Sequence, residues 1–333
     1  MGCGPNLLPG GIALDEENTA RLEKQWGFPV PGWKGDFISQ TIDAAARNEL
    51  DVLYAVGSNL SGILPDPDYV RDAVKRIPLR IHHDIVLNPQ MLLDPADTVL
   101  LLPATTRYEM EGGNTETSTE RRVIFNPEIP GPRIQEARDE WQVLMDLARR
   151  VKPDLADRLQ FESTAAIRDE IARVIPFYDG IQHLSKQGDQ FQWGGKLLAE
   201  GGSFGFPDRK ARFSVVTPPG REIPEGWFRL TTRRGKQFNS MVFGDRDMMT
   251  GEGRDRVILA EEEMGRLGLA EGDPVLLRSK TGEFRGRALR GPIQPGTVMM
   301  TWPEANTLLP RGDADPVCGI PAYRDTAVEV LRG

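Results

Sequence analysis

The stretch Leu230-Thr-Thr-Arg-Arg-Gly-Lys-Gln-Phe-Asn-Ser-Met241 joins a short apolar entry to a run of hydrogen-bonding side chains. It is predicted to open as a strand after Trp227-Phe228 and to continue as a polar loop. Arginine forks bind phosphate through paired hydrogen bonds, and Gln and Asn amides pair with a heterocycle edge that both donates and accepts. The composition therefore favours a polyanion that carries a polar heterocycle, although a solvated basic hairpin has the same composition.

Composition limits the classes of protein to which the chain belongs. Its 333 residues are enough for two domains with separate cores, and 39% hydrophobic with 27% charged residues is typical of a globular protein. A formal charge of -8 argues against a general nucleic-acid-binding surface, and no apolar run approaches the roughly 20 residues that span a bilayer. The two cysteines, Cys3 and Cys318, have no metal-binding spacing. With no signal region at the N-terminus, we expect a reducing, cytoplasmic compartment.

Strands and helices alternate in the first half of the chain. Buried strands are predicted at residues 51–57, 79–86 and 97–103, with a helix at residues 67–76 between the first two. Strand, helix and strand at this spacing predict a parallel sheet with ligands at the carboxyl ends of the strands. Residues 1–35 are rich in Gly and Pro around one helical patch, so we expect this segment to wrap over a folded body.

Two of these strand ends carry candidate chemistry. Gly57-Ser58-Asn59 has no bulky side chain that would block a phosphate, although this signal alone is far weaker than a full G-x-G-x-x-G motif. Asp84 can accept two hydrogen bonds from a guanine edge, or it can cap the turn that follows its strand. His82 and His83 alternate in direction, and with only three histidines in the chain no metal cluster is predicted.

The middle and the last third differ in pattern. Helices are predicted at residues 134–151, with a stripe of Trp141, Leu144, Leu147 and Ala148 interpreted as core, and at residues 164–174, with Ser163 as N-cap. Residues 180–205 are glycine-rich and aromatic, which suits an excursion over a ligand cleft or a partner surface. After Pro218, short apolar strands with close turns predict a closed barrel.

Several motifs, in order along the chain, resemble the molybdopterin oxidoreductases, and most closely a formate-dehydrogenase-alpha-like subgroup. Residues 51–59 are similar to the strand and G-x-N loop of that family's second nucleotide-binding domain. Residues 92–106 and 109–122 resemble its A-D-V-V-L-P strand and the following E-G-T-x-x-N-x-E-R-R segment. Residues 231–240 look like the opening of its C-terminal pterin-dinucleotide-binding domain.

The end of the chain extends the resemblance. The order helix, L-G-L-x-x-G-D-P-V, strand, P-x-x-P-G over residues 259–302 is similar to the six-stranded double-psi barrel of these enzymes. Residues 302–310 resemble the loop whose Asn, here Asn306, meets the pterin. Residues 319–324 resemble the P-x-Y-K end, with Arg324 where Lys is common.

The resemblance implies a fold and its boundaries. We expect an α/β nucleotide-binding domain with a parallel sheet, like that of formate dehydrogenase and DMSO reductase, followed by a β-rich double-psi barrel domain. The expected division is a wrapping segment from the preceding domain at 1–35, an α/β molybdopterin dinucleotide-binding domain at 36–175, a Gly- and aromatic-rich connection at 176–224, and the C-terminal barrel at 225–333.

The resemblance also implies a cofactor, molybdopterin guanine dinucleotide in its bis form (bis-MGD) with molybdenum. Neither a catalytic residue nor a metal ligand is expected in this chain, because the family's iron–sulfur cysteines and metal-ligating residue lie upstream. Glu120 and Arg121-Arg122 are expected to hold their segment through ion pairs. The residues implied to bind the cofactor are Gly57, Ser58, Asn59, His83, Asp84, Pro103, Thr105, Thr231, Thr232, Arg233, Arg234, Gln237, Asn239, Ser240, Asn306, Tyr323 and Arg324.

The implied function is that of the cofactor-binding C-terminal half of an oxidoreductase. The resemblance implies two-electron oxidation of a small substrate, with formate as the candidate, at a molybdenum centre, together with an upstream half or partner chain. Three alternatives stay open: an inactive fragment, a separate subunit that completes the site with a partner, and a non-enzymatic guanine-dinucleotide-binding module.

Overall fold

The computed structural model describes residues 7–8, 11–217, 222–234, 244–247, 251–312, 314–315 and 318–333. The α-helices are α1 (Glu16–Trp26), α2 (Ile38–Ala46), α3 (Leu60–Ile63), α4 (Pro67–Lys75), α5 (Glu140–Val151), α6 (Thr164–Val174) and α7 (Glu261–Leu267). Short 3-10 helices lie at Pro89–Leu92, Pro153–Leu155, Pro176–Tyr178, Ile181–His183, Glu200–Gly202 and Glu304–Leu308. The strands are β1 (Leu7–Leu8), β2 (Ile12–Ala13), β3 (Val52–Val56), β4 (Leu79–Asp84), β5 (Thr98–Pro103), β6 (Asn114–Thr117), β7 (Arg122–Asn126), β8 (Gln190–Gln192), β9 (Phe228–Arg234), β10 (Arg256–Leu259), β11 (Pro274–Arg278), β12 (Glu283–Arg290), β13 (Thr297–Trp302) and β14 (Thr326–Arg332).

The chain forms two compact units, each made of two separate segments. The first unit comprises Met1–Asp36 and Leu102–Thr217, and the second comprises Phe37–Leu101 and Pro218–Gly333. The second unit thus joins the first strands of the predicted α/β region to the C-terminal barrel. The domain boundaries drawn from the sequence stay a prediction. No helix in the described parts of the chain is long and apolar enough to cross a membrane.

The second unit contains a closed six-stranded barrel in the order β10-β12-β11-β14-β9-β13. Strand β9 runs parallel to β13, β10 runs parallel to β12, and β10 closes the barrel against β13. Alternate side chains of each strand point inward, and Phe228, Leu230, Val257 and Leu277 are among those that form the buried core. The predicted barrel is therefore confirmed.

The polar stretch that follows Leu230 begins inside this barrel. Thr231, Thr232, Arg233 and Arg234 were predicted to lie in a loop, but they continue β9 in register with β13 as far as the pair Arg234 and Trp302. The extended main chain is kept because the neighbouring strand satisfies its hydrogen bonds. The rest of the predicted loop lies outside the described residues.

A three-stranded sheet, β3-β4-β5, belongs to the second unit except for Leu102 and Pro103 at the end of β5. Strands β3 and β4 are parallel, with Val52 beside Leu79 and Val56 beside His83. Helices α2 and α4 bury one apolar stripe each, and their side chains form a core with α3. Strand β4 ends at Asp84, two residues before the predicted end. Because β3 and β4 are parallel, their carboxyl ends lie at the same edge of the sheet.

The first unit contains the remaining helices and an antiparallel sheet of β6, β7 and β8. Helix α6 occupies the predicted residues, and the Ser163 hydroxyl accepts a hydrogen bond from the Ala166 amide at its N-cap. Helix α5 begins only at Glu140, because the main chain of Arg138 pairs with Ala104 as a β-bridge. The core interpretation of its stripe is wrong, because α5 has no buried residue and Leu147 is exposed.

Candidate functional site

Residues predicted to bind one ligand meet where β3 and β4 end. We call Gly57, Ser58, Asn59, His83 and Asp84 the strand-end cluster. The amide of Gly57 donates to the His83 carbonyl at 2.9 Å, so the two strand ends are tied together. Gly57 has a φ of +58°, and no atom lies within 4 Å of the place where a Cβ would stand. The glycine therefore leaves open space beside the main chain, as a close-approaching ligand requires.

Asp84 organises the turn after β4. Its Oδ1 accepts from the Ile85 amide at 2.7 Å, and its Oδ2 accepts from the Asn88 Nδ2 at 3.2 Å. Asn88 Nδ2 also lies 3.3 Å from the Ser58 carbonyl oxygen. Asp84 thus caps the turn that follows its strand, as one of the two predictions for this residue had it. Through Asn88 it is also linked to the Ser58 main chain. Its recognition of guanine stays a prediction.

The two histidines of β4 are both buried. His83 Nδ1 lies 3.1 Å from the Tyr54 hydroxyl. Burial lowers the pKa of His82, and the nearby Arg80 guanidinium lowers it further, while Asp84 opposes them. His82 is therefore held neutral. Among the described residues no group of three or more potential metal ligands comes together.

A cavity of about 480 Å³ connects the strand-end cluster to the barrel part of the second unit. We call it the asparagine cavity, because its lining includes Asn59 and Asn306, whose relative exposures are only 3% and 2%. Asn59 Nδ2 and both amide atoms of Asn306 lack a hydrogen-bond partner among the described residues. Two buried amides with unmet donors and acceptors suit a ligand that also donates and accepts.

The same cavity contains charged residues that the sequence did not single out. Glu304 Oε1 accepts from Arg254 Nε at 2.5 Å, while Glu304 Oε2 is buried without a partner among the described residues. Asp245 also lines the space. Arg254 lies about fifty positions before Glu304 in the chain, so only the folded barrel brings them together.

A second cavity of about 580 Å³ lies on the barrel. We call it the arginine cavity. Its lining includes Thr232, Arg234, Trp302, Tyr323 and Arg324, and the Arg234 guanidinium carbon lies 5.2 Å from the centre of the Trp302 indole ring. Four of these five residues were predicted from the sequence to bind the cofactor. Trp302 lines the arginine cavity, whereas the next residue, Pro303, lines the asparagine cavity.

Tyr323 connects the arginine cavity to the helices beside the sheet. Its hydroxyl donates to the Ile63 carbonyl at 3.1 Å, and burial raises its pKa to about 12. The phenol therefore stays protonated at neutral pH and keeps its donor role. A second hydrogen bond joins the barrel part to these helices: the Asn306 carbonyl accepts from the amide of Asp66, the N-cap of α4, at 3.0 Å.

One cation strengthens this connection within the second unit. The Arg311 guanidinium carbon lies 3.9 Å from the Tyr69 ring centre, and Arg311 forms an ion pair with Asp43. Tyr69 in turn donates to Asp43 at 3.3 Å. Sequence reasoning missed Arg311, because an arginine in a Gly- and Asp-rich turn gives no signal of a partner on a distant helix.

Other predicted site residues lie elsewhere. Pro103 ends β5, and the Thr105 hydroxyl donates to Asp139 in the first unit. Thr231 and Arg233 lie on β9 but do not line the arginine cavity. Gln237, Asn239 and Ser240 are outside the described residues. The binding roles of all these residues stay predictions.

Glu120, Arg121 and Arg122 were predicted to hold their segment through ion pairs, and the structure shows one ion pair among the three together with contacts of Arg121 to Trp193. Arg122 lies 3.9 Å from Glu120 as an ion pair. Arg121 instead donates to the Trp193 carbonyl at 2.6 Å and stacks over the Trp193 ring.

A protein-family model described as the molydopterin dinucleotide binding domain matches residues 228–327, which span β9 to β13 and the first two residues of β14. The formate dehydrogenase alpha subunit of Methanocaldococcus jannaschii is 26% identical over 349 residues, a match that covers 100% of this chain and 50% of the relative. A probable oxidoreductase of Bacillus subtilis is 26% identical over 361 residues, covering 100% of this chain and 35% of the relative. The chain thus spans half or less of the length of these curated relatives.

Among solved structures, acetylene hydratase from Pelobacter acetylenicus is similar with a TM-score of 0.58. The match covers 88% of this chain and 46% of that one at 15% identity, so it speaks for the fold alone. Together, the family model and the curated relatives confirm the resemblance predicted from the sequence motifs.

Proposed function

We propose that this chain, which corresponds to the C-terminal part of a molybdopterin oxidoreductase, binds a pterin guanine dinucleotide in its second unit. The observation that carries the proposal is the asparagine cavity. Asn59 follows a strand of the sheet and Asn306 belongs to the barrel, yet both line one space with buried amide atoms that lack partners among the described residues. Leaving such groups unsatisfied costs about 1–3 kcal/mol each, which a heterocycle with donors and acceptors recovers.

The two cavities suit different ends of such a ligand. The arginine cavity offers the guanidinium groups of Arg234 and Arg324 and the hydroxyl of Thr232, which are donors that suit a diphosphate. The asparagine cavity offers amides and a carboxylate, which suit a ring edge. Gly57, with open space beside it, allows a close approach of the ligand to the main chain.

The reaction follows from the cofactor rather than from a nucleophile of this chain. When bound, a molybdenum-containing bis-MGD cofactor supplies two-electron oxidation of a small substrate, and we propose formate by analogy with the named relative. The residues of this chain bind the dinucleotide, orient it and shield it from water. Because the chain spans half or less of its relatives, we propose that an upstream half or partner chain supplies the metal ligand and the iron–sulfur cysteines.

Metal and pterin analysis of the assembled enzyme tests the proposal. The chain is purified with and without its upstream half or partner, and molybdenum and pterin are measured per protein. We expect Arg233→Ala to lower cofactor occupancy, because Arg233 is the next-to-last residue of β9, the strand that leads into the polar stretch. Arg47→Ala is the matched control, since Arg47 is exposed at the end of α2 and pairs with Glu49.

The outcomes separate the alternatives. Unchanged molybdenum content in Arg233→Ala contradicts the assignment of that residue. Nucleotide binding without molybdenum in the assembled protein favours a non-enzymatic guanine-dinucleotide-binding module. Cofactor that appears only with the upstream half favours a chain that completes a site shared with that half.

A further inference from the structure

We propose that Glu304 recognises the ring of the bound ligand, by accepting hydrogen bonds from the 2-amino-4-oxopyrimidine edge that guanine and pterin share. The proposal rests on the proposed function and names which part of the ligand enters the asparagine cavity. Neither Glu304 nor its partner Arg254 was among the residues that the resemblance implied to bind the cofactor.

The Glu304 carboxylate is held in one orientation. Its side chain is 17% exposed, and Oε1 accepts from Arg254 Nε at 2.5 Å. A charge-assisted pair of this kind fixes the carboxylate plane. Oε2 is left buried and without a partner among the described residues. A buried carboxylate oxygen that accepts nothing is costly, so a donor on a ligand stabilises it.

Electrostatics favours a ring edge with N–H donors over a phosphate in this cavity. Asp245 and Glu304 both line it, and the guanidinium of Arg254 is already engaged by Glu304. A phosphate would be repelled by the two carboxylates, whereas an amino group and a ring N–H would be attracted. The phosphates are better placed in the arginine cavity.

The hydrogen-bonding pattern of the two asparagines completes the match. The ring edge shared by guanine and pterin has an exocyclic amino group, a ring N–H and a carbonyl oxygen. Glu304 Oε2 and Asn306 Oδ1 are acceptors for the first two, and the Nδ2 groups of Asn59 and Asn306 are donors for the carbonyl. If Glu304 served only as the ion-pair partner of Arg254, no selectivity for the amino group would result.

Two matched ligand pairs test the proposal on the full chain by calorimetric titration. GMP and IMP differ only in the amino group, and pterin and lumazine carry an amino and an oxo group at that same position. We expect the wild type to prefer the amino member of at least one pair by about tenfold or more, the effect of one hydrogen bond to a charged group. Glu304→Gln should reduce that preference to about twofold or less, because the amide no longer presents a full negative charge.

A second variant separates recognition from packing. Arg254→Gln removes the ion pair but keeps the Glu304 carboxylate, so it should weaken both members of a pair while the preference for the amino group persists. Discrimination confined to GMP over IMP places guanine in the cavity, and discrimination confined to pterin over lumazine places the pterin there. Either result supports the proposal.

Other results overturn it. Equal affinity of the wild type for both members of both pairs excludes recognition of the amino group, and so does a preference that persists in Glu304→Gln. The proposed function is tested apart from this by GDP. If GDP binds more tightly than guanosine and Arg324→Ala abolishes the difference, dinucleotide binding stands even when Glu304 fails. No binding of any of these ligands, to the chain alone or to the chain assembled with its upstream half, counts against both.

Discussion

In the barrel every strand pairs with a neighbour on both sides, whereas the sheet β3-β4-β5 ends in two outer strands. The barrel side chains point into a closed core, and Leu230, Leu259 and Leu277 are fully buried. The sheet instead leaves large apolar side chains such as Val52 and Leu100 exposed. A closed barrel satisfies its own edges, while an open sheet of three strands needs neighbours. The barrel thus satisfies its own edges, and the strand-end cluster depends on the helices that pack beside its sheet.

The largest effect is expected from one leucine in each region. Leu230→Ala should lower the free energy of unfolding of the barrel by about 2–5 kcal/mol, because it removes a side chain with 0% exposure from a packed core. The same change at Leu100, which is 44% exposed in β5, should cost well under half as much. Urea unfolding measures the loss of unfolding free energy in each variant, and hydrogen exchange of barrel and sheet amides shows in which region the loss falls. Equal losses would show that the barrel does not have the tighter core.

A glycine beside Asn59 gives the next effect, on ligand binding. A Cβ on Gly62 would stand 2.6 Å from Asn59 Nδ2, so Gly62→Ala must displace the asparagine side chain. We expect affinity for the proposed ligand, probed with GMP and pterin, to fall about tenfold through the loss of one hydrogen bond.

Gly265→Ala in α7 is the matched control for Gly62→Ala. No atom lies within 4 Å of the Cβ that this change adds, so affinity should be unchanged. The barrel should gain about 0.5–1 kcal/mol from the better helix former. An unaltered affinity in Gly62→Ala would remove Asn59 from the binding site.

Acid should lower the stability of the sheet β3-β4-β5, through His82 of β4. Burial depresses the pKa of His82 below its ordinary value of 6.5, so the folded state stays neutral where the unfolded chain takes up a proton. Stability from this residue is present above about pH 6.5 and is lost as the pH falls. Urea midpoints at pH 7 and pH 5 should differ less in His82→Leu than in the wild type. Identical pH dependence in the two proteins contradicts this role.

Alkali should lower the stability of the barrel, through Tyr323. The pKa of Tyr323 is raised to about 12 from 10.0, so the unfolded chain loses its phenolic proton first. The contribution to stability is intact below pH 10 and is lost as the pH rises toward 12. Tyr323→Phe should unfold with a smaller dependence on pH over this interval, measured by urea midpoints. The difference in tyrosinate absorbance between the two proteins checks the pKa itself.

Local patterns were enough to predict several elements and part of the site. The N-cap at Ser163, the strands that end near Gly57 and Asp84, and the closed barrel after Pro218 follow from side-chain periodicity and capping chemistry, which act over a few residues. The same patterns failed where distant pairing prevailed. Helix α5 starts late because Arg138 pairs with Ala104, and Thr231 to Arg234 extend a strand because β13 lies beside them.

By itself, the sequence determined the family resemblance, the barrel and the chemistry of the polar stretch, because motifs and alternation are properties of neighbouring residues. Only the tertiary structure decided that Asn59 and Asn306 line one cavity, that Arg254 orients Glu304, and that Tyr323 reaches Ile63. Those contacts join residues far apart in the chain, and they depend on strand order and on the packing of helices against a sheet. No local pattern carries that information.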